Sequence, residues 1–241
     1  MYNLANFSLK DMTLCGIELR KMGAGAHNME ESANHVIHYL YEHLVDRPSG
    51  QPACTLVRLF KTHAYEGLEP NLRQIAQGMV EAQLLTPKTK CLTLLATAGE
   101  RPEWNSRHTS VGHKAIPLPS AQLLAQFPMI SQLTHQFGLD TGTFLLPDST
   151  LLVDMAQTSF NVFHIPEAPG SPFIPAQQGF VIPMGVKSVL GFGGVLPSGD
   201  IFAVIMFCKV SINRATADLF KPLALSVKMA LLPFSGSKIF A

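Results

Sequence analysis

A chain of 241 residues can bury one sizeable core and is short for two domains with a linker, so one elaborated domain is expected. Hydrophobic residues make up 47% and charged residues only 15%, against ~25% in an average soluble domain, which leaves apolar surface for a partner. A net charge of +1 offers no footprint for nucleic acid or an anionic membrane, and residues 1–13 mix Asn, Lys and Asp among apolar positions instead of forming a secretory segment, so a cytoplasmic location is expected.

Residues 1–27 read as an extension before a core over 28–232, with 233–241 as a tail. Met29, Ala33, Val36, Ile37, Leu40, Tyr41 and Leu44 recur on one face, and this spacing predicts a helix over 28–44. Residues 53–62 (ACTLVRLFKT) read as a strand whose face carrying Cys54, Leu56, Arg58, Phe60 and Thr62 is not cleanly apolar. A helix is expected from Pro70, placing Leu72, Ile75, Ala76, Met79 and Val80 inward. A strand follows over 91–97, and then a polar loop over 99–114 rich in ring and charged side chains. Ser120 is a suitable N-cap for a helix through Leu123, Leu124, Phe127, Ile130, Leu133 and Phe137, with a kink at Pro128 and a stop at Gly138. Weaker strand signals lie at 143–146, 151–155 and 161–165, and the proline-rich stretch 166–183 is a loop between core strands.

The end of the chain carries the clearest pattern. Residues 188–196 and 201–207 read as two strands joined by the turn Pro197-Ser198-Gly199-Asp200, the second apolar on both alternations and too short for a membrane span. Asn213 caps an amphipathic helix through Leu219, Phe220, Leu223, Val227, Ala230 and Leu231, stopped by Pro233. This hairpin-and-helix ending, with the stretches ACTLVRLFKT and FHIPEAPGSPFIP, resembles a GAF domain of the kind found ahead of bacterial histidine kinases and diguanylate cyclases. The resemblance covers roughly 29–231 and implies an α/β fold: a mainly antiparallel central sheet, helices from both chain ends on one face, an enlarged helical middle, and a ligand pocket on the other face beneath 99–114 and 166–183.

Candidate chemistry concentrates there. Trp104, Arg107, His108 and His113 combine an indole, a guanidinium and two imidazoles, the makings of an orienting patch in an apolar cavity or of a solvated loop. His164 points opposite to its neighbours Phe163 and Ile165 on a strand; it suits an anionic ligand or haem iron, or a satisfied core position, and haem has no second cue. Lys187 and Ser188 stand at the pocket mouth or on plain surface, and Phe163 and Phe180 belong to the pocket lining. His35, His38 and Glu42 share a helix face but lack the convergence that zinc requires, so no metal is expected. Cys15, Cys54, Cys91 and Cys208 are dispersed and read as small buried hydrophobes. Gly191-Phe192-Gly193-Gly194 is no phosphate loop, and permits a bulge, a bend or close backbone approach.

No catalytic elbow, dyad or carboxylate pair is present, and the constellations of cyclic-nucleotide and bilin-binding GAF domains are missing, which disfavours both ligands. The resemblance implies a small-molecule sensor that passes occupancy through terminal helices to an output such as a histidine kinase or diguanylate cyclase, and a homodimer through 29–44 and 214–232. The alternative is a ligand-free dimerisation scaffold, recognisable if Trp104, Phe163 and Phe180 fill the cavity; a small-molecule enzyme ranks third.

Overall fold

Ser8 and Asn28 each follow extended backbone with a side-chain oxygen able to accept an N–H of the next turn, and each begins a helix. The computed structural model describes residues 1–136, 162–235 and 239–240. In chain order it runs β1 (Tyr2–Asn3), α1 (Leu9–Lys21), α2 (Met29–His43), β2 (Leu44–Val45), β3 (Cys54–Ala64), α3 (Pro70–Gln77), β4 (Lys90–Gly99) and β5 (Ala115–Pro117). There follow α4 (Ala121–Leu124), α5 (Pro128–Gln136), β6 (Phe163–Ile165), β7 (Ser188–Val195), β8 (Ile201–Cys208), α6 (Arg214–Asp218) and α7 (Lys221–Leu231).

The expected α/β fold is present. Six strands form one sheet in the order β5-β4-β3-β8-β7-β6, every neighbour antiparallel. The hairpin of β7 and β8 pairs in register from Ser188↔Cys208 to Val195↔Ile201, and Gly199 supplies the positive φ of its turn. All residues of both strands are buried, because a run apolar on both alternations needs cover on both faces. Within β7 a Cβ at Gly191 would stand 2.7 Å from Ile205 Cδ1.

Each face has its own core. Leu19 of α1, Ile37 and Leu40 of α2, and Leu223 and Val227 of α7 pack with Leu59, Phe192 and Val204 of the sheet. On the opposite face Leu56, Phe163, Ile205 and Phe207 pack with Trp104, Ala168, Ile174 and Val181 from the two long loops. Residues 1–27, expected as an extension, belong to this structure: Cys15 and Leu19 are fully buried, and Phe7 stacks on Phe220 at 4.7 Å. The expected tail also packs, with Phe240 against His63 at 5.1 Å and Ile239 accepting the Glu30 N–H at 2.9 Å.

Two expected helices are divided, each at a proline. The exit helix breaks into α6 and α7 at Phe220, since Pro222 lacks an N–H and is tolerated only in a first turn. Pro128 does the same between α4 and α5. The strand expected over 161–165 is Phe163–Ile165. Phe137, Gly138 and the strand signals at 143–146 and 151–155 lie outside the described residues. Among the described residues, no helix is long and apolar enough to cross a membrane.

Candidate functional site

The impure face of β3 proves the most informative part of the sheet. Leu56, Arg58 and Phe60 alternate onto the loop-covered side, where Leu56 is core and Ile205, the β8 register partner of Arg58, is core beside it. Arg58 is therefore a cation set into an apolar layer, and only 9% of it is exposed. Its Nη2 donates to Ser110 Oγ at 2.8 Å and to the Val111 carbonyl at 3.0 Å. Its Nε is buried with no hydrogen-bond partner, and no carboxylate among the described residues pairs with it. Burial, with no opposing charge, pulls the guanidinium down to about 10.

Opposite Arg58 on β4 stands Thr97, fully buried, whose Oγ1 is also without a partner. A β-bulge falls directly beside this pair, between Leu59 and Phe60, and bulges re-aim side chains where a sheet meets a site. The loop over the pair bends at Gly112 (φ 95), and a Cβ there would stand 3.9 Å from Arg58 Nη1. His113 packs edge-on to Phe127 at 6.3 Å; desolvation and then the Arg58 charge lower its pKa.

The residues expected to line one pocket separate into three groups. Trp104, Phe163 and Phe180 do share the loop-covered face, with Trp104 edge-on to Phe180 at 5.7 Å and Phe180 edge-on to Phe207 at 5.0 Å. Trp104 and Phe163 are buried in that layer.

Arg107 lies apart from them. Its Nε donates to Glu30 Oε1 at 2.6 Å, its Nη1 and Nη2 to the Glu69 carboxylate at 2.7 and 3.2 Å, and its guanidinium lies 4.9 Å from the Phe240 ring centroid. It ties the first turn of α2 to the start of α3, and its donors are committed to structure. His108 is an exposed ring 3.9 Å from Glu30 Oε1.

His164, Lys187 and Ser188 form the third group. His164 Nε2 donates to the Ile212 carbonyl at 2.9 Å, and desolvation lowers its pKa. His164 also borders a groove of about 400 Å³ with Gln136, Glu167 and Phe173 along edge strand β6. Ser188 Oγ donates to the Val210 carbonyl at 2.8 Å from a fully buried position, and Lys187 is exposed.

Two further polar groupings escaped the sequence reading. Lys61, 1% exposed, donates to Asp200 Oδ2 at 2.8 Å, and Lys90 to Asp200 Oδ1 at 2.6 Å. Burial alone would raise that carboxyl, but the two lysines outweigh it and hold it at about 2. Cys54 and Cys208 are register partners of β3 and β8 with sulfurs 3.6 Å apart, and burial pushes the Cys208 thiol well up. Both remain free thiols. No protein-family model matches the chain, and no curated protein matches it.

Proposed function

We propose that the chain is a GAF-like, ligand-responsive regulatory domain of the cytoplasm, in which a small molecule held against the loop-covered sheet face biases the arrangement of the helical layer behind it. One observation carries this reading: Arg58 is a buried guanidinium with no counter-charge among the described residues, where a purely structural layer would be apolar. Strands β3 and β8 lead from that face to the layer of α1, α2 and α7, the means by which occupancy reaches the chain ends. Moving such a layer from 1:99 to 99:1 takes about 5.5 kcal/mol of differential binding. A charged contact made in one state supplies part of it.

The output is a partner or fused domain of histidine kinase or diguanylate cyclase type, and the assembly is a homodimer. Its contact is formed by Leu14 and Ile17 of α1 and Leu225 and Met229 of α7, large apolar residues left exposed on two helices that pack together. A second reading, a scaffold without ligand, is favoured by the Trp104, Phe163 and Phe180 rings packed on the same face. Native mass spectrometry of the protein purified from its own host separates the two. A retained small molecule supports the regulatory reading, and a clean polypeptide mass supports the scaffold.

A further inference from the structure

The surroundings of Arg58 specify the chemistry of what binds there. A guanidinium has five N–H donors and no acceptor. Both hydrogens of Nη2 are used on Ser110 and Val111, leaving the Nε–H and both Nη1 hydrogens without a partner among the described residues. Ser110 Oγ receives a hydrogen from Arg58, so its own hydrogen is directed elsewhere, and Thr97 Oγ1 has no partner among the described residues. Everything unspent at this point can donate.

Charge agrees with that inventory. Residues 106–114 include Arg107, His108, His113 and Lys114 and no Asp or Glu, and the carboxylates that approach this stretch, Glu30 and Glu69, are bonded to Arg107. Desolvation and then the charges of Arg107 and Arg58 lower the Lys114 pKa, the mark of a locally positive field. Gly112 is the backbone that stands beside Nη1: a Cβ there would make an ordinary contact with that atom at 3.9 Å, and its φ of 95 is strained for other residues.

We propose that Arg58 anchors a binding site for a small oxyanion, a carboxylate or phosphate group that reaches the guanidinium past Gly112 and is further held by the hydroxyls of Ser110 and Thr97. With both Nη2 hydrogens engaged, neither two-donor edge of the guanidinium is free, so the oxyanion is held through single charge-assisted bonds, from Nη1 on the Gly112 side, and not as a bidentate pair. The oxyanion supplies the counter-charge that Arg58 lacks among the described residues. This deepens the regulatory reading and rests on it for its consequence, while the site itself stands on the geometry of Arg58 and Thr97.

The test is thermal unfolding in sodium acetate and in inorganic phosphate, each compared with sodium chloride at equal ionic strength, for the wild type, Arg58→Met and Thr97→Val. The expected result is a midpoint that rises with the concentration of acetate or phosphate in the wild type, stays flat in Arg58→Met, and rises less in Thr97→Val. The stronger of the two probes identifies which oxyanion the site prefers. If Arg58→Met does not fold, Arg58→Lys is read instead and is expected to need at least tenfold more anion for the same rise. An equal rise in the Arg58 variant, or no rise beyond chloride in the wild type, overturns the proposal. A neutral molecule retained in native mass spectrometry, with no acetate or phosphate response, sinks the oxyanion site and leaves the regulatory reading standing. An Arg58-dependent response that leaves hydrogen exchange of α1, α2 and α7 unchanged does the reverse.

Discussion

Arg58 and Thr97 face each other across β3 and β4, and each carries a buried polar atom with no partner, Nε on one and Oγ1 on the other. Native structures satisfy the great majority of such atoms, and leaving one unmade costs about 1–3 kcal/mol. Two in direct cross-strand register, beside a bulge and beside the acid-free stretch 106–114, mark a place prepared for something the described residues do not supply. Thr97→Val, which removes the hydroxyl at nearly constant volume, is expected to leave the unfolding midpoint unchanged or raised in the absence of anion. A clear loss of stability would show that Thr97 is satisfied in solution.

Arg107 behaves in the opposite way. Its guanidinium is bonded to Glu30 and Glu69 and covered by Phe240, and truncating one member of a buried pair costs about 3–5 kcal/mol. Arg107→Ala should therefore lower the denaturation midpoint strongly while leaving the affinity of the folded fraction for acetate or phosphate unchanged. Weaker anion binding with intact stability would return Arg107 to the ligand site.

Dimer formation through α1 and α7 places its contact on the exposed stripe. Leu225 is 57% and Met229 48% exposed, whereas Val227 and Leu231 are fully buried within the protomer. Leu225→Glu with Met229→Glu is expected to shift the protein toward monomer in sedimentation with little change in stability, and Val227→Glu to unfold it. A wild-type protein that is monomeric at high concentration removes the helix-mediated contact.

His63 gives a pH dependence whose sign follows from its burial. Desolvation, then the neighbouring Lys61 charge, holds its pKa at about 3, and its Nδ1–H donates to the Lys61 carbonyl at 3.2 Å. The unfolded chain binds a proton at about 6.5 where the native chain does not, so stability is full above about pH 6.5 and falls as pH drops toward 3. His63→Phe should lose much of the destabilisation seen between pH 7.5 and pH 5 in denaturant titrations. An identical slope in both proteins would mean that His63 ionises freely in the fold.

Local patterns carried the architecture and failed at the site for one reason. The hairpin of β7 and β8, the helix expected over 28–44 and the cap at Asn213 are set by residues adjacent in sequence, and each stands where its pattern indicated. Pro222 and Pro128 were equally visible, and their effect as first-turn residues divides two helices that periodicity alone had joined. Arg58 was legible only as an impurity on a strand face, because its meaning depends on Thr97 and Ser110 arriving beside it. Arg107 was visible as a charge, but Glu30 and Glu69, which use that charge up, lie 77 and 38 residues away. Cys54 and Cys208, separated by 154 residues, meet for the same long-range reason.

The most direct measurement is the equilibrium unfolding of Arg58→Met beside the wild type, in buffer free of carboxylate and phosphate. Exchanging buried ionic groups for apolar ones of similar volume ranges from neutral to about 4 kcal/mol stabilising when the charge is not needed for folding. An Arg58→Met protein at least as stable as the wild type, and unresponsive to added anion, is the result expected if Arg58 is buried for a ligand. A variant destabilised by about 2 kcal/mol or more in that buffer would contradict it, since the bonds to Ser110 and Val111 would then be the reason the guanidinium is there.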